Sequence, residues 1–447
     1  MTDGAAMTDV RIPIGGGTYI VGRFANRHGL IAGATGSGKT VTLMTLAEGL
    51  SAAGVSTFVV DAKGDLSALA RSTPARFLDV FAEHGEPARL SMERLGPELL
   101  SRVLSLSDAQ AGVLDILFSV AQAKGLALHT ISDLNATIRL VRAHPEEVRE
   151  QFGYFTPTTL AAIGRAVLHL EREGGRQAFD AQSFDFLSLF GERQNGTTAD
   201  GQGRVSVLLA ERLMRSPSLY GAFMIHLLQD VFERMPEAGD LERPRLALFI
   251  DEAHLLFQDC PPALLQRIER NMRLIRSKGV GVYFVTQSPA DIPATILGQL
   301  GNRIQHALRG ATPADQRAIR AAADTLPMNP RLDAAATIAT LGVGEALVST
   351  IGPRGAPTLA ELVRVKLPRC PLGPLLPTER PPVHKLAAWP SSVVSGSQST
   401  VDPVFAFVVL CVVLCGAGLV LYFWWKPVVA ALIALFFFLR RATRLTS

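Results

Sequence analysis

Residues 33–40 read GATGSGKT, with the apolar run HGLIAG (28–33) leading in and a helical pattern following. That order leaves few folds open. A short buried strand must run into a glycine-rich turn, and the turn must open directly onto a helix. Glycines let the backbone curl around an anion, and the amides of the loop and of the helix N-terminus then converge on it. The pattern is G-x-x-x-x-G-K-[ST]. Gly33, Ala34, Thr35, Gly36, Ser37, Gly38, Lys39 and Thr40 therefore form a candidate phosphate cradle for ATP. Lys39 would reach the β- and γ-phosphates, and the Thr40 hydroxyl would serve Mg²⁺. The alternative, a Gly/Ser turn matching by chance, gives no reason for the flanking strand and helix.

The remaining apolar runs are short and separated by helical patterns, the rhythm of an α/β sheet. STFVVD (56–61), RLALFID (245–251), GVYFVTQ (281–287) and RIQHAL (303–308) read as buried strands, with RVSVLLA (204–210) as a sixth. They lack period-2 alternation, as strands of a mostly parallel sheet covered on both faces must. The expected organisation has ATPase core in 1–75 and 241–368, with a mainly helical insertion over 76–240. Within the insertion, 96–125 and 218–235 are the clearest helices, and 191–203 reads as a loop. Residues 344–368 read as two strands joined by GPRG, and the Pro/Ser-rich stretch 369–403 as a linker.

Further candidates cluster at strand ends. LALFIDEAHLLF (246–257) ends a strand in Asp251, which can hold Mg²⁺ through water beside Thr40, and Glu252 follows to polarise an attacking water. Asp-Glu after an apolar strand is otherwise an ordinary helix cap, and His254 reads as a packing residue. Gln287 ends another strand, where an amide can bond both phosphate and water. Arg267, Arg270, Arg273 and Arg276 recur every third residue. Such a stripe is either a solvated face or a subunit interface that sends one arginine into a neighbour's site. Arg303 and Arg309 are weaker candidates for that task. Asp61 and Lys63 in VVDAKGDL either face the nucleotide or form a structural turn.

Charge is unevenly placed. The net +4 belongs to the tail, because residues 404–447 carry Lys426, Arg440, Arg441 and Arg444 and no acidic residue. Residues 1–403 hold 40 groups of each sign, which excludes a globally basic surface for nucleic acid. Four cysteines without metal or disulfide spacing fit a reducing compartment. The first residues lack the basic start and apolar run of a signal peptide, so the body is expected in the cytoplasm. Val404–Trp425 is a 22-residue stretch without charge. As a helix it would extend ~33 Å, enough to span a bilayer core. The 12-residue run 428–439 follows Lys426-Pro427. The two runs form either a helical hairpin, which returns the basic tail 440–447 to the cytoplasm, or a single span. Residues 404–439 are the expected anchor in the inner (cytoplasmic) membrane.

With these elements in order, the chain resembles the HerA/FtsK superfamily of ring-forming ATPases, specifically its HerA-like, YjgR-like group. The resemblance rests on ANRHGLIAGATGSGKT, VVDAKGDLS, LFIDEAHLLF, RLIRSKGVGVYFVTQSPADIP and LGQLGNRIQHALRGATPADQRAI, and covers roughly residues 10–370. It implies a RecA-like motor domain and a homo-hexamer hydrolysing ATP between subunits. Members of the superfamily translocate DNA, so DNA translocation or unwinding is the first expectation. The resemblance does not fix the substrate of this group, and the alternative is an ATPase energising protein transport or complex assembly at the membrane, as in the related secretion ATPases. The resemblance further implies that Arg276 acts in trans, and that a nuclease or membrane complex is the partner. Two features depart from the family. About 28 residues precede the first core strand, too few for the N-terminal β-barrel of HerA proper, and the apolar tail is foreign to the group.

Overall fold

The computed structural model describes residues 9–376, apart from 191–197, 199, 240, 259 and 311, together with Glu379. A two-stranded antiparallel hairpin, β1 (Arg11–Gly15) and β2 (Thr18–Val21), precedes the main sheet. The main sheet comprises β3 (Gly29–Ala32), β4 (Ser56–Asp61), β5 (Ala75–Asp79), β6 (Glu86–Pro87), β7 (Val205–Leu209) and β8 (Leu246–Ile250). It continues with β9 (Val280–Thr286), β10 (Asn302–Gln305), β11 (Glu345–Ser349) and β12 (Glu361–Arg364). Its order is β12-β11-β10-β3-β9-β8-β4-β7-β5-β6. From β10 to β6 every described pairing is parallel, and β11 and β12 add an antiparallel edge.

The central strands are buried along their whole length, which explains their continuous apolar runs. Alternation survives as a choice between two cores. Phe58, Val60, Leu248, Ile250, Val282 and Phe284 face one layer, while Val59, Phe249, Tyr283 and Val285 face the other. The second layer holds α1 (Lys39–Ala52), which packs Leu43, Met44, Leu46, Ala47 and Leu50 onto the sheet beside the β1–β2 hairpin.

The first layer holds the helical segment. It contains α2 (Met92–Val103), α3 (Asp108–Ala123), α4 (Ile131–Ala143), α5 (Pro145–Phe152), α6 (Pro157–Arg172), the one-turn α7 (Gly175–Ala178) and α8 (Pro217–Arg234). Helix α8 is buried nearly all round, so its sequence is apolar without a polar face. Helices α9 (His254–Phe257), α10 (Pro262–Ile275), α11 (Ala294–Leu297), α12 (Pro313–Asp324) and α13 (Ala334–Thr340) follow the core strands.

Three local expectations change. The continuous helix over 96–125 is two helices, because Ser105 turns the chain at φ +51° and Ser107 with Gln110 forms a capping box that restarts it. Strands β5 and β6, at 75–79 and 86–87, were not expected, so the start of the segment 76–240 adds sheet beyond the expected strand at 204–210, which is β7. Residues 369–376, expected to open a linker, bury Cys370 and Leu375 against the α1 layer. The buried Glu48 of α1 accepts the backbone amides of Arg369 at 2.7 Å and Cys370 at 3.0 Å. Among the described residues no helix is long and apolar enough to cross a membrane. The stretch 404–439 and the basic tail lie outside the described residues.

Candidate nucleotide site

Parallel strands deliver all their C-terminal ends to one edge, and that edge is where an open α/β sheet binds ligands. Strand β3 ends at Ala32 and releases the phosphate loop there. Loop and sheet are tied by Gly33 N–H to the Thr286 carbonyl at 3.3 Å and Ala34 N–H to the Ala307 carbonyl at 2.8 Å. Gly36 and Gly38 take φ of +76° and +114°, conformations that a side chain strains. A Cβ at Gly38 would also stand 3.1 Å from the Gly344 backbone. No side chain caps α1, which leaves its first-turn amides for an anion. Lys39 Nζ folds over the loop, donating to the carbonyls of Gly33 at 2.6 Å and Ala34 at 3.1 Å. The cradle therefore fits a phosphate chain.

Beneath the loop lies a residue the sequence reading passed over. His306, fully buried just past β10, bonds the Thr42 hydroxyl through Nε2 at 2.8 Å and meets the Glu345 carbonyl with Nδ1 at 2.9 Å. Burial, with Lys39 nearby, pushes its pKa down to about 4, so it is a neutral strut between α1 and β11 at physiological pH. Within RIQHAL it read only as part of a strand.

Strand β9 lies between β3 and β8. Pairing of Ile250 with Phe284 and of Leu30 with Phe284 sets Asp251 and Glu252 level with the last residues of β3. Asp251 is half-buried, and its loss of solvent, followed by the neighbouring Glu252, raises its pKa to about 6, while Lys63 and Lys39 pull it the other way. Lys39 responds to the same carboxylates: burial lowers its pKa, and Asp251 and Glu252 oppose that shift. These four side chains share one electrostatic site, and its acidic and basic members suit a hydrated divalent cation beside phosphate.

Glu252 has an unusual backbone, with φ +47°. Its Oε2 is buried, no described group hydrogen-bonds it, and His254 Nδ1 stands 3.4 Å away. A buried carboxylate oxygen without a hydrogen bond, in a left-handed residue, is the kind of strain that gathers at functional sites. Gln287 follows β9 directly and is exposed at this edge, one residue beyond the carbonyl that holds Gly33. Arg309 is exposed two residues beyond the Ala307 carbonyl that holds Ala34.

The other candidates separate. Pairing of Val59 with Phe249 sets Asp61 level with Asp251. Asp61 nevertheless turns to its own loop: it accepts the Ser67 amide at 2.9 Å, and burial raises its pKa to about 6 against the pull of nearby amides. It holds the turn, whereas exposed Lys63 faces the carboxylates. Arg303 donates to the carbonyls of Leu300 and Leu297, both at 3.1 Å, and so closes the end of α11. Arg267 pairs with Glu98 at 2.7 Å.

Arg276 lies at the end of α10, before β9 begins, and so at the opposite edge of the sheet from the phosphate loop. It is exposed and lines a cleft of about 720 Å³ with Arg23, Arg27, Arg354, Asp9 and Glu242. Beside it, His28 receives the Val282 amide on Nδ1 at 3.1 Å, and its Nε2 lies 2.8 Å from the Met272 carbonyl. Burial, with Arg276 and Arg27 close by, lowers the His28 pKa to about 4.

A glycine loop between strand and buried helix, with acidic residues two strands away at the same edge, defines the P-loop NTPase fold. The family described as helicase HerA-like C-terminal matches residues 11–73 and 70–412, and the chain belongs to it. None of the curated proteins matches the sequence. Among solved structures, the bacterial conjugative coupling protein TrwB (unbound, N-terminally truncated) is similar at 17% identity and TM-score 0.58, over 86% of this chain and 92% of that one. TrwB in complex with ADP and Mg²⁺ is similar at 17% identity and TM-score 0.56, over 80% and 88%. VirB4 of Thermoanaerobacter pseudethanolicus is similar at 14% identity and TM-score 0.53, over 85% and 99%. At such identities the likeness establishes the fold.

Proposed function

We propose that the chain is one subunit of a hexameric, ATP-hydrolysing motor that moves DNA, tethered to the inner membrane through residues 404–439. The loop amides and Lys39 hold the phosphates, while Thr40 and, through water, Asp251 hold Mg²⁺. When bound, that ion neutralises charge developing on the phosphates. Glu252 orients the attacking water and accepts its proton. Gln287 bonds water and γ-phosphate, and Arg276 reaches into a neighbouring subunit's site, since its own loop lies across the sheet. The observation carrying this reading is the buried Oε2 of Glu252, which accepts no hydrogen bond from a described group and faces His254 Nδ1 at 3.4 Å, at the edge that holds the phosphate loop. The similar fold of TrwB, a coupling protein seen with ADP and Mg²⁺, supports it.

Steady-state ATPase activity of the full chain, with and without DNA, tests the proposal. Wild type should turn over faster with DNA, and Lys39→Ala should be silent. A wild-type protein that binds Mg-ATP without hydrolysing it would refute the motor. A second reading, a motor acting on protein or on a membrane complex, is favoured by the balanced charge of residues 1–403. Hydrolysis indifferent to DNA would select it. The tether predicts that the full chain sediments with membranes and resists carbonate. Release by carbonate would remove the anchor.

A further inference from the structure

Glu252 sits in a left-handed conformation that a side chain strains and that persists only where neighbours enforce it. The sheet supplies part of that restraint: Glu252 N–H donates to Asp251 Oδ1 at 2.9 Å, and Ala253 N–H to the Val285 carbonyl at 3.0 Å. The rest comes from the helical segment. Tyr220 of α8, wholly buried, donates its hydroxyl to the Asp251 carbonyl at 2.5 Å. Arg102 of α2 donates through Nη2 to the carbonyls of Leu255 at 3.1 Å, Leu256 at 2.9 Å and Gln258 at 2.7 Å. These carbonyls form the otherwise open end of α9, where a cation is favoured. Gly221, next to Tyr220, permits the approach, since a Cβ there would stand 3.1 Å from the Leu255 carbonyl. The segment 251–258 is thus gripped before and after Glu252 by two side chains from separate helices of the other layer.

We infer that Tyr220 and Arg102 are positioning residues through which the helical segment sets the aim of Glu252, and with it the turnover number. The inference rests on Glu252 being the base of the proposed hydrolysis. Neither side chain touches the phosphate loop in the described contacts, so a shift of α2 or α8 should alter kcat and leave the loop's affinity for metal-free nucleotide alone. A load carried by the helical segment would then reach the chemistry by this route.

The test uses the full chain with Tyr220→Phe, which removes one hydroxyl, and Arg102→Met, which keeps the stem. Both should lower kcat by about tenfold or more, in keeping with a small misplacement of a reacting group. The Kd for ADP measured without Mg²⁺ should stay within about twofold of wild type. Placed on Glu252→Gln, neither should lower the residual rate further. Wild-type kcat in Tyr220→Phe overturns the inference whatever Arg102→Met does. Parallel losses of kcat and affinity would also overturn it, by assigning both residues a general structural role. If Glu252→Gln itself keeps wild-type turnover, the base assignment fails instead, and that outcome is distinct from the others.

Discussion

The two edges of the central sheet are built on opposite plans. At the C-terminal ends of the strands, charged groups are drawn inward: Asp61 is buried and Asp251 half-buried, both with raised pKa values, and Lys39 is bent over its own loop. At the N-terminal ends, Arg276, Arg23, Arg27 and Arg354 surround an open cleft. One edge concentrates acidic side chains around a phosphate cradle, and the other presents guanidinium groups that cannot reach that cradle within the same chain. The contrast teaches that, on the proposed roles, Glu252 shares its edge with Lys39 and the cradle, whereas Arg276 is set apart from both by the length of β9. A head-to-tail assembly would reunite them, because successive subunits then oppose unlike edges.

Glu252→Gln is the sharpest way to break the comparison. It should cut kcat by about a thousandfold or more while Mg-ATP still binds, since a neutral amide cannot take a proton from water. Near-normal turnover would show that the acidic edge is a cap and not a catalytic site.

Arg276→Ala addresses the other edge. Turnover should fall by about a hundredfold or more, with little change in nucleotide affinity. Because the arginine would act on a neighbour, mixing this variant with Lys39→Ala should restore part of the activity. Mixed rings, verified by differential tagging, that show no rescue would disconnect the two edges.

The elements that make the acidic edge were legible in the sequence because each is local. β3, β4, β8 and β9 fall on continuous apolar runs, and Lys39, Asp251 and Gln287 stand at their ends by spacing alone. What reading along the chain missed depends on contacts between distant residues. His306 matters because Thr42 faces it, and Tyr220 and Arg102 because they reach the main chain of 251–258. The break in 96–125 was visible as Ser-Leu-Ser but was outweighed by helical periodicity. The burial of Cys370 requires Glu48 to accept its amide, which no count of Pro and Ser in 369–403 could reveal.

Gly29→Ala separates packing from chemistry. Gly29 opens β3 at the arginine edge, and a Cβ there would lie 2.4 Å and 2.6 Å from ring atoms of Tyr283. That ring has no room to move, being stacked on Phe249 at 4.8 Å with its hydroxyl bonded to the Ala25 carbonyl at 2.7 Å. The substitution should cost about 1–3 kcal/mol in denaturant unfolding. At the other edge a Cβ on Gly36 meets nothing within 4 Å, so Gly36→Ala should strain the φ +76° loop and weaken nucleotide binding with a smaller loss of stability. Equal losses at both positions would erase the distinction between a packed edge and an open one.

The smallest effect expected is a gain. Burial raises the Asp251 pKa to about 6 from an ordinary 3.8, with Glu252 adding to the shift and Lys63 and Lys39 opposing it. A raised carboxylate pKa means that the folded state holds the proton more tightly than the unfolded chain. The stability this group contributes is therefore full below the unfolded pKa and is lost as pH rises towards the folded value. Above that value the desolvated charge is a standing cost. Asp251→Asn should therefore raise the stability of the nucleotide-free protein at pH 7.5, by of the order of 2 kcal/mol. The advantage should shrink steadily as the pH is lowered from 6 towards 4. Mg-ATP should cancel or reverse it, because the wild-type carboxylate then has a cation to face. Thermal melting of both proteins across that pH range, with and without Mg-ATP, measures the effect. A constant difference at every pH would show that the acidic edge does not store the cost of a desolvated carboxylate.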